Sequence, residues 1–143
     1  MIRAAGPEDL DGLLALYRHL NAEDPAPERE QASTALAALL AMATVLVAEE
    51  AGELVSSCTL VVIPNLTRGT RPYALIENVV THAGHRQRGL GRAVLAAALD
   101  RAWAEGCYKV MLATGSRQES TLRFYEGAGF ERGGKTFFQA RRP

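Results

Sequence analysis

Residues 77–92, Glu-Asn-Val-Val-Thr-His-Ala-Gly-His-Arg-Gln-Arg-Gly-Leu-Gly-Arg, decide how the rest of the chain is read. Apolar residues from Ala74 to Thr81 predict a strand, a short loop follows, and a glycine-punctuated turn opens a helix. That helix continues through Ala93, Val94, Leu95, Ala98, Leu99 and Trp103. A strand leading through a glycine turn into a helix start makes an anion site. The first amides of a helix have no partner within it, and the positive end of the helix dipole adds to them. Gly89 and Gly91 let a ligand approach the main chain, and Arg86, Arg88 and Arg92 bring positive charge to the same place. A diphosphate suits this geometry. The stretch is not a Walker loop, since no Gly-Lys-Ser/Thr follows, and it lacks the third glycine of a dinucleotide fingerprint.

Working outward, Met1 to Ala5 reads as a first strand. Pro7, Glu8, Asp9 and Asp11 suit a first helical turn, and Leu10, Leu13, Leu14, Tyr17 and Leu20 share one helical face. Asn21 to Pro27 is a loop with two prolines, either an ordinary connector or the border of a substrate pocket. A second helix is predicted from Glu28 to Met42. Strands follow over Val45–Glu49 and Leu54–Ile63, with a hairpin turn at Ala51-Gly52-Glu53. Pro64 to Pro72 is a polar loop. Gly106 ends the long helix, Tyr108 to Ala113 is a further strand, Gln118 to Glu126 a helix, and Lys135 to Ala140 a last strand. This is one α/β domain with a mixed sheet, spanning residues 1–143.

The composition is that of a globular protein, 48% hydrophobic and 22% charged, with 16 basic and 16 acidic residues. Zero net charge and the absence of a basic stripe with stacking aromatics argue against a nucleic-acid or membrane-surface binder. The only lysines are Lys109 and Lys135, and the arginine and alanine excess points to a GC-rich bacterial gene. Cys58 and Cys107 stand far apart, which predicts two reduced, buried thiols rather than a disulfide or a metal site. No apolar run reaches membrane-spanning length and the N-terminus reads as no signal peptide, so a cytoplasmic location is expected. His82 and His85 flank the anion loop as loop residues, and His19 is expected to be solvated on the outside of its helix.

Arg86-x-x-Gly89-x-Gly91 after a hydrophobic strand resembles the coenzyme A signature of the GNAT superfamily of N-acetyltransferases. Leu122-Arg-Phe-Tyr-Glu-Gly-Ala-Gly-Phe130 resembles the second signature of that superfamily, and the two stand in its usual order. The resemblance covers essentially the whole chain. It implies a mixed, mostly antiparallel sheet flanked by helices, whose central parallel strands, here Ala74–Thr81 and Tyr108–Ala113, splay to admit acetyl-CoA. It implies no metal. It places Arg86, Gln87, Arg88, Gly89, Leu90, Gly91 and Arg92 on the cofactor's diphosphate, and the main chain of Val79, Val80 and Thr81 on its pantetheine arm. Gln118 stands where relatives often hold an Asn that contacts coenzyme A. Tyr125 takes the place of the phenol that protonates the departing thiolate; its reference pKa near ~10 keeps it a donor at neutral pH. Glu77 is placed as the base for the attacking ammonium, or as a ligand of the substrate amine.

Ile76-Glu77-Asn78-Val79-Val80, Gly106-Cys107-Tyr108-Lys109-Val110 and the ending Gln139-Ala140-Arg141 are similar to segments of glucosamine-6-phosphate N-acetyltransferases. That match implies Glu77, Asn78 and Arg141 as substrate contacts, with Arg141 on the sugar phosphate across a dimer interface. Asn78 stands where those enzymes carry Asp, and the loop from Ala113 to Gln118 is longer than theirs. The expectation is an acetyl-CoA-dependent N-acetyltransferase for a small primary amine, working by direct transfer in a ternary complex as a homodimer. The alternatives are glucosamine-6-phosphate as the specific acceptor, or a non-catalytic acyl-CoA-binding regulatory module. Retention of both Tyr125 and Glu77 speaks against the last.

Overall fold

A computed structural model describes residues 1–143 and divides them into two units, Met1–Leu112 and Ala113–Pro143. The first unit is built on a five-stranded sheet in the order β1 (Ile2–Ala4), β2 (Thr44–Glu50), β3 (Glu53–Ile63), β4 (Tyr73–Thr81) and β5 (Val110–Met111). Neighbours are antiparallel except β4 and β5, which run parallel. Ala51 and Gly52 join β2 to β3 with both residues left-handed, at φ 51° and 81°, the backbone a two-residue hairpin needs.

Strand alternation sorts the core onto two faces. Val45, Val47, Leu54 and Val80 meet Leu10, Leu13 and Leu16 of α1 (Leu10–Tyr17), and Ala32 and Leu36 of α2 (Arg29–Met42). The alternate residues, among them Leu46, Ala48, Ala74 and Ile76, are equally buried and serve the face on which α4 (Leu90–Ala104) lies. That helix buries Gly91, Val94, Leu95, Ala98 and Ala102. It ends as expected, with Gly106 left-handed at φ 84° just past the C-cap. The first helix is shorter than its apolar spacing predicts: a 3-10 turn, Pro7–Asp9, precedes it, and Leu20 lies beyond it in a turn, 44% exposed.

The connection from β3 to β4 holds a short turn, α3 (Thr67–Thr70), in which Arg68, Gly69 and Thr70 are all left-handed. The Asn65 side-chain amide secures it by donating to Thr67 O, Thr67 Oγ1 and Arg71 O. Beyond it, β4 and β5 share only the pairs Ala74–Val110 and Leu75–Met111. The strand expected over Tyr108–Ala113 is therefore a two-residue ladder, and the two parallel strands part from Ile76 onward.

The second unit carries α5 (Glu119–Gly127), which buries none of its residues. Arg132 clips the turn after the helix to its start and its last turn, pairing with Glu119 at 2.7 Å and Glu126 at 3.2 Å. The strand expected from Lys135 to Ala140 does not form. Thr136, Phe137 and Phe138 favour a strand, but those residues pair with no strand of the sheet, and a strand exists only when its main-chain groups are paired.

Candidate active site

The middle of β4 is bent by a bulge. Ser57 pairs with Val80 and Thr59 with Glu77, so the single residue Cys58 faces both Asn78 and Val79. Asn78 takes up the extra length in the left-handed region, at φ 54°. As a result two consecutive side chains, Glu77 and Asn78, are both exposed in a strand otherwise buried or half-buried. The bulge lies just past the last β4–β5 pair. From there to Thr81 the β4 main chain has no ladder partner on the β5 side. Thr81 is tied the other way, its hydroxyl 2.9 Å from Ser56 Oγ, which donates to Val80 O. Val79, Val80 and Thr81 are thus a fixed, open strand edge next to an exposed carboxylate.

The glycine turn follows. Gly89 caps α4 at φ 76°, and Gln87 before it is left-handed at φ 63°. No protein atom lies within 4 Å of where a Cβ on Gly89 would stand, so the backbone angle requires glycine here and the space beside it is open. The amides of Leu90, Gly91 and Arg92 in the first turn have no intrahelical partner. The three arginines do different work. Arg86 is folded back, its Nε donating to Thr81 O at 3.3 Å and its Nη2 to His19 O at 3.4 Å. Arg88 pairs with Glu50 at 3.1 Å and meets His85 Nδ1 at 2.8 Å. Of the three, Arg92 alone makes neither an ion pair nor a side-chain hydrogen bond. Two of the three expected phosphate cations therefore shape the loop, and Arg92 carries the uncommitted charge beside the free amides.

In the second unit, Gln118 is the N-cap of α5, with its amide donating to Ser116 Oγ at 3.2 Å. Tyr125 is half-buried among aromatic neighbours, its ring 5.0 Å from Phe124 and 6.4 Å edge-on to Phe130. The Phe130 amide donates to Tyr125 O, which draws the Gly-Ala-Gly-Phe segment back onto the helix end. Arg141 is exposed in the segment after the helix.

The cysteines are inert. Cys58 is fully buried, and that burial pushes its thiol up to about 12; burial also raises Cys107. His19 departs from expectation. It lies past the end of α1, half-buried, its ring stacked 4.0 Å from His82, and its Nδ1 accepts the Ala83 amide at 3.2 Å. The bulge and this histidine contact were both missed in the sequence. The bulge had a signal, two adjacent polar residues in an apolar strand, one of them the Asn that tolerates left-handed backbone. The histidine contact joins residues 64 apart and had none.

Comparison with known proteins identifies the family. The profile of the Acetyltransferase (GNAT) family matches residues 13–130. The glucosamine 6-phosphate N-acetyltransferase of Trypanosoma brucei brucei is 34% identical over 131 residues, covering 90% of this chain and 87% of that protein. A solved structure from Agrobacterium tumefaciens str. C58, provisionally named an acetyltransferase, superposes with a TM-score of 0.95 at 49% identity, covering 99% of both chains. AAC(6')-Iy in complex with the bisubstrate analog CoA-S-monomethyl-acetylneamine shares the fold, with a TM-score of 0.81 at 18% identity over 100% of this chain and 98% of that one. The chain belongs to the GNAT family and is an N-acetyltransferase.

Proposed function

We propose that this enzyme moves the acetyl group of acetyl-CoA directly onto a primary amine of a small molecule, within a ternary complex and with no acyl-enzyme. The observation that carries the reading is the parting of β4 from β5 immediately before the Glu77-Asn78 bulge, with the free amides of α4 beyond it. An open strand edge can take an extended pantetheine arm as though it were another strand, through Val79, Val80 and Thr81. The amides at Gly89, Leu90 and Gly91 and the free Arg92 then receive the diphosphate. Arg86, Gln87 and Arg88 hold the loop in that shape, and Gln118 is a further coenzyme A contact by its place in the second signature.

An aliphatic ammonium has a pKa near ~10.4 and must lose its proton to attack. Glu77, exposed on the bulge, is placed to take it, directly or through a water. Amine nitrogen adds to the thioester carbonyl, a main-chain amide of the β4 edge stabilises the oxyanion, and the carbon–sulfur bond breaks. Tyr125 donates its phenolic proton to the departing sulfur, and the extra proton on the acylated nitrogen returns to the phenolate, directly or through water. That role rests on the match of Phe124-Tyr125-Glu126 to the family signature. The bisubstrate analog bound by AAC(6')-Iy supports direct transfer. The similarity to the trypanosomal enzyme favours glucosamine 6-phosphate as the first acceptor to try, with Asn78 and Arg141 as its contacts. We also propose a homodimer.

Thiol release from acetyl-CoA across a panel of amines that includes glucosamine 6-phosphate tests the reading. Tyr125→Phe should lower kcat about a hundredfold while leaving acetyl-CoA affinity within a factor of about two. Unchanged turnover would remove Tyr125 from the chemistry, and thiol release by no amine would overturn the acceptor class.

A further inference from the structure

Three imidazoles cluster at the base of the anion loop, one pair tilted and the other edge-on, and nothing in the reaction uses them. His19, from the turn after α1, lies 4.0 Å from His82 at the end of β4, and His82 lies 5.0 Å from His85. Each ring is fixed by contacts at Nδ1. His19 Nδ1 accepts the Ala83 amide at 3.2 Å. His82 Nδ1 accepts the Gly84 amide at 2.9 Å. His85 Nδ1 meets Arg88 at 2.8 Å and Glu50 at 3.4 Å. A nitrogen that accepts from a main-chain N–H carries no proton, so in these contacts Nδ1 of His19 and of His82 serves as the acceptor.

The contacts converge on one segment. From Thr81 to Gly89 the chain must turn sharply, with Gln87 and Gly89 both left-handed. Its first amides go to the two imidazoles, and Arg86 closes the loop by bonding both Thr81 O and His19 O. We propose that His19 and His82 form an imidazole clasp, positioning residues that hold the Thr81–Gly89 loop in the shape that captures the diphosphate. This rests on the reading of that loop as the acetyl-CoA site.

The clasp has a pH sign. The groups facing His19 are His82, Arg86 and, from the start of β3, Glu53; Glu50, His85 and Arg88 complete the surroundings. Burial, then the neighbouring His82 and Arg86, hold His19 below its ordinary 6.5, against a smaller opposing pull from Glu53. A histidine whose folded pKa is depressed contributes fully above its unfolded value. Its contribution is lost as pH falls from about 6.5 through the lowered folded value. A protonated His19 also turns its acceptor into a second donor facing the Ala83 amide.

The test compares the wild type with His19→Ala and His19→Asn, whose side-chain oxygen can still accept. Acetyl-CoA affinity is read by calorimetry between pH 5 and 8, kcat at saturating acetyl-CoA, and Ala83 amide exchange without ligand. His19→Ala should weaken acetyl-CoA binding about tenfold at pH 7.5, the effect of one lost well-placed hydrogen bond, with kcat within about twofold. Its Ala83 amide should exchange at least about tenfold faster, and His19→Asn should restore most of both. In the wild type, affinity and Ala83 protection should fall together below about pH 6.5. Equal affinity and equal exchange in His19→Ala would overturn the clasp, as would an Asn variant no better than Ala. Faster Ala83 exchange in a protein that binds no acetyl-CoA would sustain the clasp and overturn the ligand reading instead.

Discussion

Asp9 is a carboxylate only 8% exposed, and the one charged residue among those buried. Arg3 grips it with two parallel hydrogen bonds of 2.8 and 2.9 Å and reaches Glu49 with a third, while the Gly6 amide donates to the same Asp9 oxygen as the first. This ties β1, the first helical turn and the end of β2 together. The hydrogen bond from Arg3 holds the Asp9 carboxyl below its usual range despite the opposing effect of burial. The folded pKa lies below the unfolded one, so the stabilisation is complete above about pH 4 and is lost as pH falls through the lowered value. Asp9→Asn keeps the shape and removes the charge. It should cost about 2 kcal/mol at pH 7, the size of a charge-assisted hydrogen bond, and should blunt the loss of stability below pH 4. Urea unfolding at pH 7 and pH 3 checks this; an Asn variant as stable as the wild type at pH 7 would show that Arg3 and Glu49 suffice.

Elements are where the sequence spoke most clearly and where its silences have physical causes. The strand, glycine turn and helix from Ala74 to Ala104 were legible because periodicity changes from two to about 3.6 at one punctuated place. The hairpin at Ala51-Gly52 was legible for its turn chemistry. The bulge was not read, since its signal, the adjacent polar pair Glu77-Asn78, reads equally as an exposed stretch of regular strand, yet it decides that the two face out together. The short β5 was overestimated because Tyr108 to Ala113 has strand propensity throughout, whereas pairing stops where β4 diverges. Asn78→Val tests what the bulge does. A β-branched residue in left-handed backbone is strained by about 1–2 kcal/mol, which Gly is not. Asn78→Val should lose about that much stability and lower kcat further than Asn78→Gly, as Glu77 is re-aimed. Thermal unfolding and steady-state kinetics on both variants check it. Equal kcat in the two would mean that Glu77 does not depend on the bulge for its aim.

At the scale of the molecule, the open question is what completes the chain's last segment. The second unit is about thirty residues long, below the roughly 40 at which a chain forms a core of its own, and none of its residues is buried. Its ending carries Phe137 at 66% and Phe138 at 86% exposure, neighbours that a strand would point to opposite faces. Two exposed aromatics in a strand-like segment without a ladder partner call for a cover, and water is a poor one. In the proposed homodimer a second copy would supply it, since a two-fold pairing would give both arms the same environment. The arm also carries Arg141, so pairing would order a proposed substrate contact together with the aromatics. The 15.4 kDa chain should therefore sediment at about twice its mass at micromolar concentration. Phe137→Ser combined with Phe138→Ser should return it to a single copy and weaken binding of an anionic acceptor more than that of acetyl-CoA. A wild type that sediments as one copy would refute the pairing. A double variant that stays paired would move the interface away from the arm.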